Sequence, residues 1–292
     1  MSYSTDKPVK KVTVNTLREM KARGEKVTSL TAYDHSMAAI LDRAGIDIIL
    51  VGDSVGNVML GYDTTVPVTM DAMLHHVSAA SKAVRRALVV ADMPFMSYQV
   101  SEDEAVRNAG RFLKEAGAHA VKLEGGTDVA HLVKRLVSIG IPVQGHIGLT
   151  PQSVNTLGGY GLQGKTASAA MKLVADAKAL DEAGAFSIVL EKVPEQLAAE
   201  VTARVGAVTI GIGAGAGCDG QVLVTYDMLN LCSMDMQKPR FVKIFNDLGS
   251  QALKAVEEYA REVKDGSFPG PEHGFRMNLA EEAELKKELG QD

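Results

Sequence analysis

Four acidic residues occupy the same place in four similar phrases: Asp53 in IILVGDS, Asp92 in ALVVADMP, Glu124 in AVKLEGG and Glu191 in SIVLEKVP. Each closes a short apolar run of the kind that forms a buried strand. Two carboxylates about 5 Å apart repel by roughly 3 kcal/mol at an effective dielectric near 20, and removing each from water costs several more. Four gathered together need positive charge among them. A divalent cation meets that need. The candidate ligands are hard oxygens with neither a Cys pair nor a His pair at zinc spacing, so the chemistry points to Mg²⁺. Lys122, two positions before Glu124 on the same strand, projects from the same face and adds a second positive charge. A single strand-end acid reads as a helix cap or a solvated group, whereas four in successive strand-end positions read as a site. His146, in VQGHIGLT, ends another strand. It faces the same mouth or serves as a structural histidine, and the sequence leaves both open.

Carboxylates at successive strand ends meet only if the strands are parallel and their C-terminal ends open on one face. The chain alternates Val- and Ile-rich runs (KVTSLTAYD, IDIILVGDS, ALVVADMP, AHAVKLEGG, IPVQGHIGLT, FSIVLEKV, AVTIGIGAG, QVLVTYDML) with amphipathic stretches such as EDEAVRNAGRFLKEAG. DRAGIDIILVG, KEAGAHAVKLEG and DEAGAFSIVLEK repeat one pattern, and Gly45, Gly117 and Gly184 in them would end helices with positive φ. This predicts an α/β fold, a (β/α)8 TIM barrel, with a doubly wound open sheet as the alternative. Thr16 with Glu19, and Ser101 with Glu104, have capping-box spacing, and Pro194 suits a first helical turn. No low-complexity linker divides residues 1–292, which read as one barrel domain with a short N-terminal helix. GSQALKAVEEYAREVKDGSFPG reads as the last helix closing the barrel, and residues 274–292 as a polar helical tail, solvated or packed on a neighbour.

The chain has 292 residues, 46% of them hydrophobic, and a formal net charge of −5 with Lys and Arg scattered, which disfavours nucleic acid and anionic membranes as partners. Neither a spanning apolar run nor a signal-peptide core at MSYSTDKPVKKVTVN is present, so a soluble, cytoplasmic protein is expected. Cys218 and Cys232 lack metal-type spacing and read as reduced thiols.

Across residues 26 to 235, the phrases TAYDHSMAAILDRAGIDIILVGDSVGNVMLGYDTTVPVTMDAM, VVADMPFMSY, VKLEGG, GHIGLTPQSVNTLGGYGLQGKT, IVLEKVP and IGIGAGAGCDGQVLVTYDMLNL occur in order. In them the chain resembles the ketopantoate hydroxymethyltransferase family. The resemblance implies a barrel of the phosphoenolpyruvate/pyruvate type that uses Mg²⁺ and 5,10-methylenetetrahydrofolate. Such enzymes convert 3-methyl-2-oxobutanoate to 2-dehydropantoate for pantothenate and coenzyme A synthesis, usually as homodecamers. By the same resemblance Asp53 and Asp92 contact metal and substrate, and Glu124 lies in or just outside the metal shell. Ser54 and Lys122 hold the keto acid, and Glu191 accepts a proton. The family's usual Gly after YDML is Asn230 here, and GAGAGCDG has its own wording.

The implied chemistry is coherent. A 2-oxo acid chelating Mg²⁺ through its keto and carboxylate oxygens would lose a neighbouring proton to Glu191, and the enolate would attack the folate one-carbon unit. Three rivals remain: a phosphoenolpyruvate mutase or isocitrate lyase-like enzyme, a metal-free aldolase with Lys122 as Schiff-base amine, and a barrel that only binds ligand. The Lys-Lys-Cys-Gly-His phrase of the lyases is absent. GIGAGAGCDGQ contains G-x-G-x-x-A, but the strand-like QVLVTY follows where a dinucleotide fingerprint should open a helix, and TLGGYGLQGKT lacks Walker spacing. Both read as loops.

Overall fold

A computed structural model describes residues 9–232 and 238–291. The first eight positions, part of the stretch compared above with a signal peptide, and Asp292 of the tail lie outside them. Eight parallel strands close into a barrel in sequence order: β1 (Val27–Thr31), β2 (Ile48–Val51), β3 (Leu88–Asp92), β4 (Ala120–Glu124), β5 (Val143–Gly148), β6 (Ser187–Glu191), β7 (Val208–Ile212) and β8 (Gly220–Leu223). All eight expected strands form, and pairing of β8 with β1 excludes the open sheet. The eighth is short, because TYDM of the predicted run turns into helix instead.

Before β1 lies α1 (Val14–Arg23), and between strands, in chain order, lie α2 (His35–Arg43), α3 (Val55–Val58), α4 (Met70–Ser81), α5 (Glu102–Lys114), α6 (Ala130–Ser138), α7 (Val154–Leu157), α8 (Ala167–Glu182) and α9 (Glu195–Thr202). After β8 come α10 (Thr225–Met228), α11 (Leu248–Asp265) and α12 (Leu279–Glu288). Gly45, Gly117 and Gly184 have φ of +83°, +77° and +97°, the left-handed geometry that ends a helix and returns the chain to a strand. Asn230 takes φ 52°, a conformation that Asn tolerates better than most residues. Ser101 caps α5 by accepting from Glu104 N, the one half of the expected capping box that forms. The first helix starts earlier than its spacing predicts. Thr13 is the cap and exchanges hydrogen bonds with Thr16, so the Thr16–Glu19 box does not form.

Two apolar layers follow from strands buried on both faces. One set, including Ile49, Val89, Val121 and Ile188, packs outward against the helices. The other fills the barrel bottom with Ile48, Leu88, Val90, Phe186 and Ile210, plugged by Leu17 of α1. Above that floor the inward positions turn polar.

The last long helix does not close the barrel. All of α11 lacks buried side chains, and Leu253, Val256, Tyr259 and Val263 are exposed along it. Amphipathic period reports that a helix has an apolar face, not which surface covers it. The tail helix α12 forms as predicted, with no buried residue.

Candidate active site

Strand register brings the acids together. Asp92 pairs across with Lys122, Glu124 with His146, and Gly148 with Glu191, so these inward side chains form a belt from β3 to β6. Asp53 follows one residue after Gly52 in the turn beyond β2. Its backbone N–H donates to Asp92 Oδ2 at 3.1 Å, which locks the turn to the next strand. Asp53, Ser54, Asp92, Lys122, Glu124, His146 and Glu191 all line one cavity of about 540 Å³ at the C-terminal mouth, the face on which barrel loops build their sites.

Charge is densest around Lys122. Its Nζ stands 2.7 Å from Asp92 Oδ1 and 3.3 Å from His146 Nδ1, with Asp92, Lys122, Glu124 and His146 all buried. Burial pushes the Asp92 carboxyl up to about 8; Lys122 opposes this, and the neighbouring Asp53 and Glu124 add to it. Burial works against the charged Lys122, but Asp92, Glu124 and Asp53 outweigh it and hold the ammonium well above its ordinary range. His146 lies between two acids, Nδ1 3.4 Å from Glu124 Oε1 and Nε2 3.3 Å from Glu191 Oε2. Burial and Lys122 press its pKa down, yet the bonds to Glu124 and Glu191 prevail and raise it to about 9. Of the two readings left open for His146, the structure places it in the cavity wall.

The sequence reading missed Gln152. Buried in the turn after β5, it donates from Nε2 to Asp53 Oδ2 and Met93 O, both at 2.9 Å, while its backbone N–H donates to Glu124 Oε2 at 3.1 Å. Its Oε1 accepts from Tyr98 Oη at 2.8 Å, and Tyr98 Oη accepts from Glu124 N. Tyr33 Oη lies 2.8 Å from Ser54 Oγ. A neutral amide in TPQS carries no charge or motif to signal this role.

The donor set fits a hard cation. Asp92 Oδ1 and Glu124 Oε1 are buried without an aligned hydrogen bond, despite the Lys122 and His146 contacts. Among the described residues no three His, Cys, Asp or Glu side chains converge closely enough to hold a metal by themselves. Mg²⁺ suits such a site, since it usually keeps water and substrate oxygens beside one or two carboxylates.

A family model described as ketopantoate hydroxymethyltransferase matches residues 11–271. The chain belongs to the ketopantoate hydroxymethyltransferase family. It is 56% identical over 272 residues to the 3-methyl-2-oxobutanoate hydroxymethyltransferase of Syntrophus aciditrophicus (strain SB), covering 93% of this chain and 99% of that one. With the same-named protein of Carboxydothermus hydrogenoformans identity is 57% over 267 residues, 91% and 96% of the two chains. Among solved structures, phosphonopyruvate hydrolase in complex with oxalate and Mg²⁺ superposes with a TM-score of 0.57 at 13% identity, covering 94% of this chain and 95% of that one. A 2,3-dimethylmalate lyase of the PEP mutase/isocitrate lyase superfamily gives 0.55 at 17%, covering 94% and 98%. At these identities the likeness bears on the fold alone, a closed parallel β/α barrel. This ketopantoate hydroxymethyltransferase relative has, among the described residues, no helix long and apolar enough to cross a membrane, and both its cysteines are free.

Proposed function

We propose that the chain transfers a hydroxymethyl group from 5,10-methylenetetrahydrofolate to 3-methyl-2-oxobutanoate, giving 2-dehydropantoate. The observation that carries this reading is that Glu191 on β6 lines the same cavity as the Asp53, Asp92 and Glu124 cluster but stands apart from it on a separate strand, with His146 between Glu124 and Glu191. An acid set on one side and a separate carboxylate on the other suit metal-assisted removal of a proton next to a carbonyl.

Asp53 and Asp92 would hold Mg²⁺, with Glu124 beside them. Bound there, the ion supplies Lewis-acid polarisation of the 2-oxo group. Ser54 and Lys122 orient the keto acid, and the Lys122 ammonium stands where negative charge develops on the keto oxygen. Glu191, the least buried of the four acids at 16% side-chain exposure, takes the proton from C3, with His146 Nε2 standing 3.3 Å from its carboxylate. The carbon nucleophile then attacks the methylene iminium of the folate, forming a C–C bond. Water replaces the folate nitrogen, releasing the hydroxymethyl product and tetrahydrofolate.

The Schiff-base alternative needs a neutral Lys122, which the buried ion pair with Asp92 opposes. Self-association, which the resemblance puts at ten copies, is supported by the uncovered apolar face of α11, and a cytoplasmic setting by the free thiols.

The test is turnover of 3-methyl-2-oxobutanoate with methylenetetrahydrofolate, with and without EDTA, with product read by mass spectrometry. Product that appears only with free Mg²⁺ supports the reading. No product under any metal overturns it, and turnover in EDTA with borohydride trapping of Lys122 would transfer it to the aldolase class.

A further inference from the structure

A second cavity, of about 450 Å³, opens on the rim of the barrel where the turns after β6 and β7 meet the segment that follows residue 238. Lys192, Glu195, Arg240 and Phe241 line it. Phe241 also lines the first cavity, so one aromatic ring separates the two chambers. Tyr160, another wall of the first cavity, is tied to the second through its carbonyl, which accepts from Lys192 Nζ.

Lys192 directly follows Glu191 and holds φ at 45°, a left-handed conformation that costs a residue with a side chain on the order of 1 kcal/mol and glycine almost nothing. Its backbone is fixed on both sides, N–H to Ile212 O at 2.9 Å and C=O from Gln163 N at 2.8 Å. A long cation is therefore kept at a position where glycine would fit without strain. The rim is tight around its stem: a Cβ on Gly213 would come within 2.9 Å of Phe241 and 3.3 Å of Lys192 Cγ.

The two chambers differ in charge. Lys192 and Arg240 against Glu195 give the second a balance of +1, in a chain whose formal net charge is −5. Glu195 itself lies over Gly215, its Oε2 3.3 Å from where a Cβ would stand. In the first chamber Asp53, Asp63, Asp92, Glu124, Glu191 and Asp227 outnumber Lys122 and Lys238. A long ligand with an anionic end would be sorted by this difference, that end drawn to the rim and away from the acids. Tyr160 lines the first cavity and Phe241 both, and flat rings pack well against aromatic faces. Guanidinium groups bind carboxylates through paired hydrogen bonds.

We propose that the second cavity binds the carboxylate-bearing tail of the folate co-substrate, Lys192 and Arg240 pairing with its glutamate groups while the one-carbon end reaches Glu191. This rests on the functional reading above, and its test separates the two. Arg240→Ala and Lys192→Gly, the second relieving the backbone strain, are assayed with methylenetetrahydrofolate carrying one or several glutamates and with a methylene tetrahydropterin that lacks the benzoylglutamate tail. Loss of a charge-assisted hydrogen bond corresponds to about 10- to 100-fold. The expected result is a rise of that size in KM for the tailed folates, with the KM for the keto acid and the turnover of the tail-less pterin unmoved. Unchanged KM for the tailed folates, or an equal loss with the tail-less pterin, overturns the assignment. A wild-type chain that exchanges the C3 proton yet never uses folate overturns the functional reading and this one with it.

Discussion

Gln152 Nε2 donates to Asp53 Oδ2 at 2.9 Å while the backbone N–H of the same residue donates to Glu124 Oε2 at 3.1 Å, so one residue from the β5 turn sets two carboxylates of the cluster. Partners that orient metal ligands from behind are typically worth 10- to 100-fold in metal affinity. Gln152→Ala is expected to weaken Mg²⁺ binding to the substrate-free protein by about that factor. Isothermal titration with Mg²⁺ alone reads it, and an unchanged affinity would show that Asp53 needs no such support.

The contrast between Gln152 and the acids marks what a sequence can reveal. Strands buried on both faces are nearly continuous apolar runs, so an acid closing one is conspicuous, and the barrel order follows from short alternating units. A neutral amide in a turn has no such contrast, and its importance arises only when Asp53 from the turn after β2 and Met93 and Tyr98 from the loop after β3 converge on it. The α1 cap was misplaced because Thr13 and Thr16 both offer hydroxyls, and spacing alone does not choose between them. The role of α11 was misread for a different reason, since closure is supplied by β8 pairing with β1.

Glu191 stands on β6, on the far side of His146 from Glu124, and keeps partial solvent contact. Glu191→Gln keeps size and hydrogen bonding but removes the base. The expected outcome is a fall of about 10²- to 10⁴-fold in exchange of the C3 proton with solvent, with Mg²⁺-dependent binding of the keto acid retained. Deuterium uptake followed by NMR measures the first, and calorimetry the second. Exchange at the wild-type rate would remove Glu191 from the role of base.

Without metal, the cluster should make the fold less stable as pH rises. Asp92, raised to about 8 chiefly by burial, binds a proton in the folded state that the unfolded chain releases near its ordinary value of 3.8. That contribution is complete below the unfolded value and is lost as pH climbs to about 8. His146, raised from 6.5 to about 9 because Glu124 and Glu191 outweigh burial and Lys122, adds a loss of the same sign between those values. The urea midpoint in EDTA should therefore drop from pH 6 to pH 9. Mg²⁺, which competes with protons for the carboxylates, should restore more stability at pH 9 than at pH 6. A midpoint that rises over this range in EDTA would contradict the arrangement.

Lys122 and Asp92 form a buried pair at 2.7 Å. Breaking such a pair from one side typically costs about 3–5 kcal/mol. Lys122→Met keeps the apolar stem and deletes the charge. At pH 9, where the Asp92 carboxyl is ionised beside the ammonium, the cost should fall near the lower end of that range, because Asp92 can take up a proton once the ammonium is gone. Urea unfolding in EDTA at pH 9 gives the number, and a loss under about 1 kcal/mol would mean that the ammonium is not needed to balance the acids.

Leu253, Val256, Tyr259 and Val263 recur at intervals of three and four along α11 and form one apolar stripe, each between 46% and 63% exposed. A helix gains little from intrinsic propensity, and most of its stability in proteins comes from burying such a face. No surface of its own barrel buries it among the described residues, and the self-association proposed above would cover it with a second copy of the chain. A charge in the stripe should then break the assembly before it disturbs the barrel. Val256→Asp is expected to shift sedimentation toward the monomer while preserving most of the far-UV circular dichroism. A wild-type chain that sediments as a monomer, or a variant that sediments as the wild type does, would assign the stripe to another role.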